Sequence, residues 1–173
     1  MDYRAGQLVE TDVIKSKKGD KEAFGRLIND NKLSMYRISK SILKNEHDVE
    51  DAISNCILKA YTNLLKLRKN DTFKQWLFKI LINECYSMLS RNKRELAVSD
   101  VSELDSTYED RYPDFELARA VNSLDDDQRI VTVLFYYEDM CLRDISKALD
   151  LPEGTVKSRL SRAREQLRLI VKA

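Results

Sequence analysis

Glycine and proline are scarce in this chain, 4 and 2 among 173 residues, so few positions break a helix or set a tight turn. Apolar residues recur near a period of 3.6, and no segment reads convincingly as a strand, so the sequence predicts an all-α fold. Cys56, Cys85 and Cys141 form an odd, widely spaced set without a CxxC pair, which points away from a disulfide framework and from a zinc site. They read as reduced thiols, with Cys56 and Cys85 packing as small apolar residues. His47 is the only histidine; it lies in the charged stretch Asn45-Glu46-His47-Asp48 and reads as exposed rather than catalytic. There is no glycine-rich phosphate loop either, so the expectation is a protein that is not an enzyme and takes no cofactor or metal. Apolar runs such as Ile80-Leu81-Ile82 fall far short of the roughly 20 residues a membrane span requires. The N-terminal MDYRAGQLVE lacks a signal peptide's apolar stretch, and a cytoplasmic location is expected.

A net charge of only +1 conceals strong local asymmetry. Residues 1–95 carry 19 Lys and Arg against 13 acids, residues 96–116 one Arg against seven acids, and residues 117–173 ten against nine. Two small helical domains, 1–95 and 116–173, joined by an acidic flexible linker at 96–115, is the organisation this predicts. In the first domain, helices are expected over Gln7 to Lys17, then from a Gly19-Asp20 stop and cap through Ala23, Phe24, Leu27 and Ile28 and on over Leu33 to Leu43, and then over Val49 to Leu67. The last of these carries Ile53, Ile57, Leu58, Tyr61, Leu64 and Leu65 at helical spacing. Thr72-Phe73-Lys74-Gln75 fits a capping box opening a fourth helix to about Arg94, and Asp125-Asp126-Asp127-Gln128 fits another in the second domain.

The most informative segment is Leu142 to Arg168. Leu142, Ile145, Ala148 and Leu149 repeat at helical spacing, Asp150-Leu151-Pro152-Glu153-Gly154 marks a turn, and a basic helix follows. Pro152 suits the first helical position, and Gly154 would allow close backbone approach. In the second helix Val156, Leu160, Ala163 and Leu167 fall on one stripe. The opposite face bears Ser158, Ser161, Arg162 and Glu165, flanked by Lys157, Arg168, Thr155 and Arg159. Five positive residues against one acid lie between 155 and 168. A short helix, a tight turn and a basic second helix make a helix-turn-helix, which places its second helix in the major groove of duplex DNA. Small serines beside Arg162 let that helix sit close to base edges.

The phrase LPEGTVKSRLSRAR, with KGDKEAFGRLI, DVEDAISNCILKAY and FKQWLFKILINECYSMLSRNKR upstream in that order, resembles the extracytoplasmic-function (ECF) RNA polymerase sigma factors of the sigma-70 family. The resemblance covers most of the chain. It implies a promoter-specificity subunit with core RNA polymerase and promoter DNA as partners. It also implies an anti-sigma factor, often membrane-bound, that can hold the protein at the membrane, and a monomer when free. By resemblance, residues 1–95 dock on polymerase and recognise and melt the minus-10 element, and residues 116–173 recognise the minus-35 element as duplex. The polymerase contacts implied are Asp51, Ser54, Asn55 and Leu58, where Ser54-Asn55 departs from the family's usual Gln-Glu. The minus-10 residues implied are Asn83, Tyr86, Ser87 and Arg91, with Leu67 to Thr72 as the loop that receives an extruded base. Trp76 reads as core rather than as a stacking platform. For minus-35, Lys157, Ser158, Ser161 and Arg162 face base edges while Arg143, Thr155 and Arg159 hold phosphates. Cys141 stands where the family often has a Ser or Thr cap. The acidic linker is implied to thread through the polymerase.

Two other classes could carry the same C-terminal helices. A repressor or response regulator would pair them with a ligand or phospho-acceptor domain, which usually needs strands. A recombinase would need a nucleophile among convergent arginines or metal-binding carboxylates.

Overall fold

The computed structural model describes residues 3–96 and 115–171, and every regular element in them is helical. The acidic segment lies largely outside the described residues. Helix α1 (Tyr3–Lys17) ends where Gly19 takes a positive φ of 97°, a conformation glycine adopts without strain. Asp20 then caps α2 (Lys21–Ile42), its Oδ1 accepting from Ala23 N at 2.9 Å. α2 is one continuous helix through the polar run 29–32, where buried Asn31 satisfies its amide on the Leu27 carbonyl at 2.8 Å. Asn45 caps α3 (Glu46–Asn63) by accepting from His47 N at 2.9 Å, and His47 is exposed. Two 3₁₀ turns, Leu64–Lys66 and Asn70–Thr72, lead into α4 (Phe73–Leu96).

α3 packs differently from the expectation. Its buried face is Val49, Ala52, Cys56 and Ala60, small enough for α4 to approach closely; Ile53 and Ile57 are half-buried, and Leu58, Tyr61 and Leu65 are exposed. Of the stripe expected to be buried only Leu64 is, and the small residues take the interface, which suits close packing of two helices. α4 supplies the bulk: Phe73, Leu77, Phe78, Leu81, Ile82, Cys85 and Met88 are all buried. Trp76 is half-buried beside Phe73 as part of this packing.

The second unit comprises α5 (Phe115–Asn122), α6 (Asp126–Thr132) continued by a π turn over Val133–Tyr137, α7 (Leu142–Leu149) and α8 (Glu153–Val171). Neither expected capping box forms. Thr72 Oγ1 donates to the Lys69 carbonyl at 2.8 Å, and Gln75 Oε1 is buried without a partner. Asp125 makes no side-chain cap; its carboxylate takes only a long bond from Gln128 Nε2, 3.4 Å. The Thr72 hydroxyl takes a backbone carbonyl instead, while the side-chain oxygens of Gln75 and Gln128 are buried without a partner.

The two units touch. α4 packs on α7 and α2 on α6. Glu138, after the π turn, has a side chain only 1% exposed, facing Arg37 of α2 at 3.7 Å and Lys74 of α4 at 3.5 Å. Arg129 Nε donates to the Ser41 carbonyl at 3.1 Å, and Lys79 Nζ to the Lys147 carbonyl at 3.0 Å. One apolar cluster runs from Val13 in α1 to Leu160 in α8.

Truncating Leu81, which is fully buried, to Ala removes transfer energy and leaves a cavity, an expected loss of about 2–5 kcal/mol in urea unfolding. Leu65→Ala, at a side 77% exposed, stays within about 0.5 kcal/mol.

Candidate nucleic-acid interface

The turn between α7 and α8 is set by Asp150 rather than by a glycine: it takes φ 55° and ψ 45°, the left-handed conformation, and its N–H closes on the Ser146 carbonyl. Leu151 N also donates to that carbonyl at 3.0 Å, and Ser146 Oγ donates back to the Leu151 carbonyl at 2.5 Å. Pro152 lies one position earlier than expected, as the cap: its carbonyl accepts from Thr155 N at 2.9 Å and Val156 N at 3.2 Å. A side chain at Gly154 would meet nothing within 4 Å in this chain, so no intramolecular close approach requires glycine there. At the start of α7 the Cys141 thiol does not cap; Sγ lies 3.3 Å from Asp144 Oδ2, and the Cys141 carbonyl takes the Asp144 and Ile145 N–H groups.

α8 is anchored by Val156, Leu160 and Ala163, all buried, with Leu167 half-buried. Lys157, Ser158, Ser161 and Arg162 are exposed on the far side, and Thr155 and Arg159 are half-buried at its edge. Ser158 Oγ donates to the Thr155 carbonyl at 3.0 Å, which folds the hydroxyl onto its own helix and keeps this face low. The arginines are not equivalent. Arg159 is paired with Asp127 of α6 at 2.6 Å. Arg164 donates to Tyr136 Oη at 2.7 Å and lies over the Phe135 and Tyr136 rings. Arg162, like Arg143 on α7, is exposed and makes no ion pair among the described residues.

On the first unit, Asn83, Tyr86, Ser87 and Arg91 are all exposed along one side of α4. Tyr86 lies closest to the second unit. Partial burial pushes its phenol above the ordinary value, the Asp127 carboxylate adds to that and Arg159 opposes it, so the hydroxyl remains a donor at neutral pH. Asp51, Ser54, Asn55 and Leu58 are exposed on α3, and Tyr61 and Leu65 extend that surface as an apolar row. The thiols of Cys56 and Cys85 are buried, and burial pushes them up to about 12 and about 11, which keeps them unreactive. Among the described residues no group of three or more His, Cys, Asp or Glu could hold a metal. No described helix is long and apolar enough to cross a membrane.

Sequence patterns identified the faces of α4 and α8 but not the partners that restrain them. Asp127 beside Arg159 and Glu138 between Arg37 and Lys74 join residues far apart in sequence, and helical spacing carries no signal for such pairs.

The sequence matches Sigma-70 region 2 over residues 27–95 and Sigma-70, region 4 over residues 114–167. It is 30% identical to the RNA polymerase sigma factor SigV of Bacillus subtilis, over 90% of this chain and 95% of that protein. It is 29% identical to the ECF RNA polymerase sigma factor SigW of the same organism, over 93% and 95%. Among solved structures, the sigma factor RpoE in complex with the anti-sigma factor NepR, from Bartonella quintana, superimposes with a TM-score of 0.74 at 26% identity, covering 87% of this chain and 97% of that one. With its two all-helical units and a helix-turn-helix, the chain belongs to the ECF group of the sigma-70 family, alternative sigma factors that act in transcription initiation with RNA polymerase. Such proteins are regulators of transcription rather than enzymes.

Asp150 pays a steric cost in the left-handed region that glycine does not. Asp150→Gly is therefore expected to raise stability by up to about 1 kcal/mol, and Asp150→Val to lower it, in thermal melts.

Proposed function

We propose that this sigma factor divides promoter reading between its two units. Residues 116–173 hold the minus-35 element as duplex, with Lys157, Ser158, Ser161 and Arg162 toward base edges and Arg143, Thr155 and Arg159 on phosphates. Residues 1–95 dock on core RNA polymerase through Asp51, Ser54, Asn55 and Leu58. They take the melted non-template strand of the minus-10 element on Asn83, Tyr86, Ser87 and Arg91, with an extruded base in the loop Leu67 to Thr72. The acidic linker, 96–115, passes through the polymerase between them. The chain supplies no chemistry of its own; phosphodiester bond formation belongs to the polymerase.

The observation that carries this reading is the two-sided character of α8: a buried apolar stripe fixes the helix, and its outer face combines low serines with exposed Lys157 and Arg162. The exposed Leu58 and Tyr61 on α3, continued by Leu65 in the 3₁₀ turn after it, support a protein-docking role, since large apolar side chains otherwise turn inward. RpoE, similar in fold, has been solved with an anti-sigma factor. A partner of that kind is proposed here as well, covering the polymerase-binding surface and, if membrane-anchored, holding this cytoplasmic protein at the membrane.

Elements about 25 base pairs apart along B-DNA are separated by roughly 85 Å at 3.4 Å per pair. A folded chain of this length has a radius of gyration near 16 Å. The contacts between α4 and α7 therefore open when both elements are held at once.

In run-off transcription with purified core polymerase and a promoter library, the chain directs initiation from a defined pair of elements; absence of any promoter-dependent product rejects the reading. Leu58→Asp is expected to weaken core binding about tenfold or more while leaving duplex binding intact. Arg162→Ala should relax base preference in the minus-35 element. Arg159→Ala should lower affinity for all sequences alike and reduce the salt slope by about one phosphate contact.

A further inference from the structure

The loop from Leu67 to Thr72 is closed from outside by a residue far from it in sequence. Lys17, the last residue of α1, donates from Nζ to the Leu67 carbonyl and to Asn70 Oδ1, both at 2.6 Å. The rest of the loop is fixed as well. Leu67 is 5% exposed, and Lys69 accepts from both Thr72 N at 3.2 Å and Thr72 Oγ1 at 2.8 Å.

The bond to Asn70 has a chemical consequence. An ammonium only donates, so the oxygen of the Asn70 carboxamide must face Lys17 and its NH₂ must face the opposite way. Among the described residues nothing accepts from Nδ2, and Asn70 is half-buried, with Arg68, Lys69 and Asp71 exposed around it. The loop thus holds one oriented donor open to solvent, flanked by two cations suited to phosphates.

We propose that Lys17 and Asn70 act together in reading the extruded base: Asn70 as a specificity-determining residue whose Nδ2 donates to a ring carbonyl oxygen, and Lys17 as the positioning residue that keeps that donor outward. This rests on the reading of Leu67 to Thr72 as the base-receiving loop. Thymine, guanine and cytosine each carry a ring carbonyl; adenine does not, and is the base disfavoured at this position. A donor already held in place loses little freedom on binding, and it is left unpaired when the wrong base enters.

The test is run-off transcription by core polymerase with the full chain, on promoters in which each non-template base of the minus-10 element is varied in turn. The wild type is expected to use adenine roughly fivefold less well at one position, the effect of about one hydrogen bond. Asn70→Asp keeps the contact with Lys17 but presents only acceptors, so at that same position the bias against adenine is lost and preference moves away from thymine, which lacks an amino group, toward the amino-bearing bases adenine, cytosine and guanine. Lys17→Met flattens the preference there and Lys17→Arg largely restores it, while core binding and minus-35 preference stay as in the wild type. A base profile unchanged in both Asn70→Asp and Lys17→Met, or a loss equal for all four bases, overturns the pairing while leaving the loop assignment standing. An active wild type whose output ignores base identity throughout the minus-10 element removes the loop assignment, and the pairing with it.

Discussion

Helix α4 must be core and surface at once, and the rest of the molecule is arranged around that constraint. One side of it carries Phe73, Leu77, Phe78, Leu81 and Cys85 into the interior, where α2 and α3 close over them. The other side presents Asn83, Tyr86, Ser87 and Arg91 to solvent, and α7 of the second unit packs on the same helix. Because the buried side is large and aromatic, the helix cannot rotate without opening the core. That rigidity gives the exposed residues fixed relative positions, as a surface that reads nucleic acid requires.

Electrostatics then grades the exposed cations. Arg162 makes no ion pair among the described residues, although it shares a cavity with Asp125, Asp126 and Asp127, whereas Arg159 already has Asp127 at 2.6 Å, and a phosphate approaching Arg159 competes with that carboxylate. With Asp127 64% exposed the pair itself is weak, yet a phosphate must displace a carboxylate at Arg159 and not at Arg162. The two arginines, three residues apart on one helix, therefore differ in what they can contribute to binding.

Much of this architecture was legible in the sequence because it depends on local rules. The buried stripe of α8, the Asp20 cap and the exposure of His47 each follow from spacing or from the immediate neighbours. Where local rules left a choice, they misled. Helical spacing pointed to the large residues of α3, whereas its packing against α4 buries the small ones, Ala52, Cys56 and Ala60, and leaves Leu58 exposed. The capping boxes had the right residues, but Thr72 bonds the Lys69 carbonyl and Gln128 reaches only the Asp125 carboxylate, not its backbone N–H. In the candidate interface, the exposed residues of α4 and α8 could be foreseen. The restraints on them, Lys17 on Asn70 and Asp127 on Arg159, arise from tertiary approach, which one sequence does not encode in any periodic form.

The joint between the units is built around a carboxylate. Glu138, 1% exposed, faces Arg37 and Lys74 at 3.7 and 3.5 Å, and neither of its oxygens has a hydrogen bond. An all-apolar seam would resist parting in proportion to the oily area uncovered. Here each charged group recovers its hydration as the seam parts, and that offsets much of the attraction lost. Beside the apolar cluster that runs through both units, such a fastening adds specificity of fit more than resistance to parting, and being almost wholly buried it is screened little by added salt.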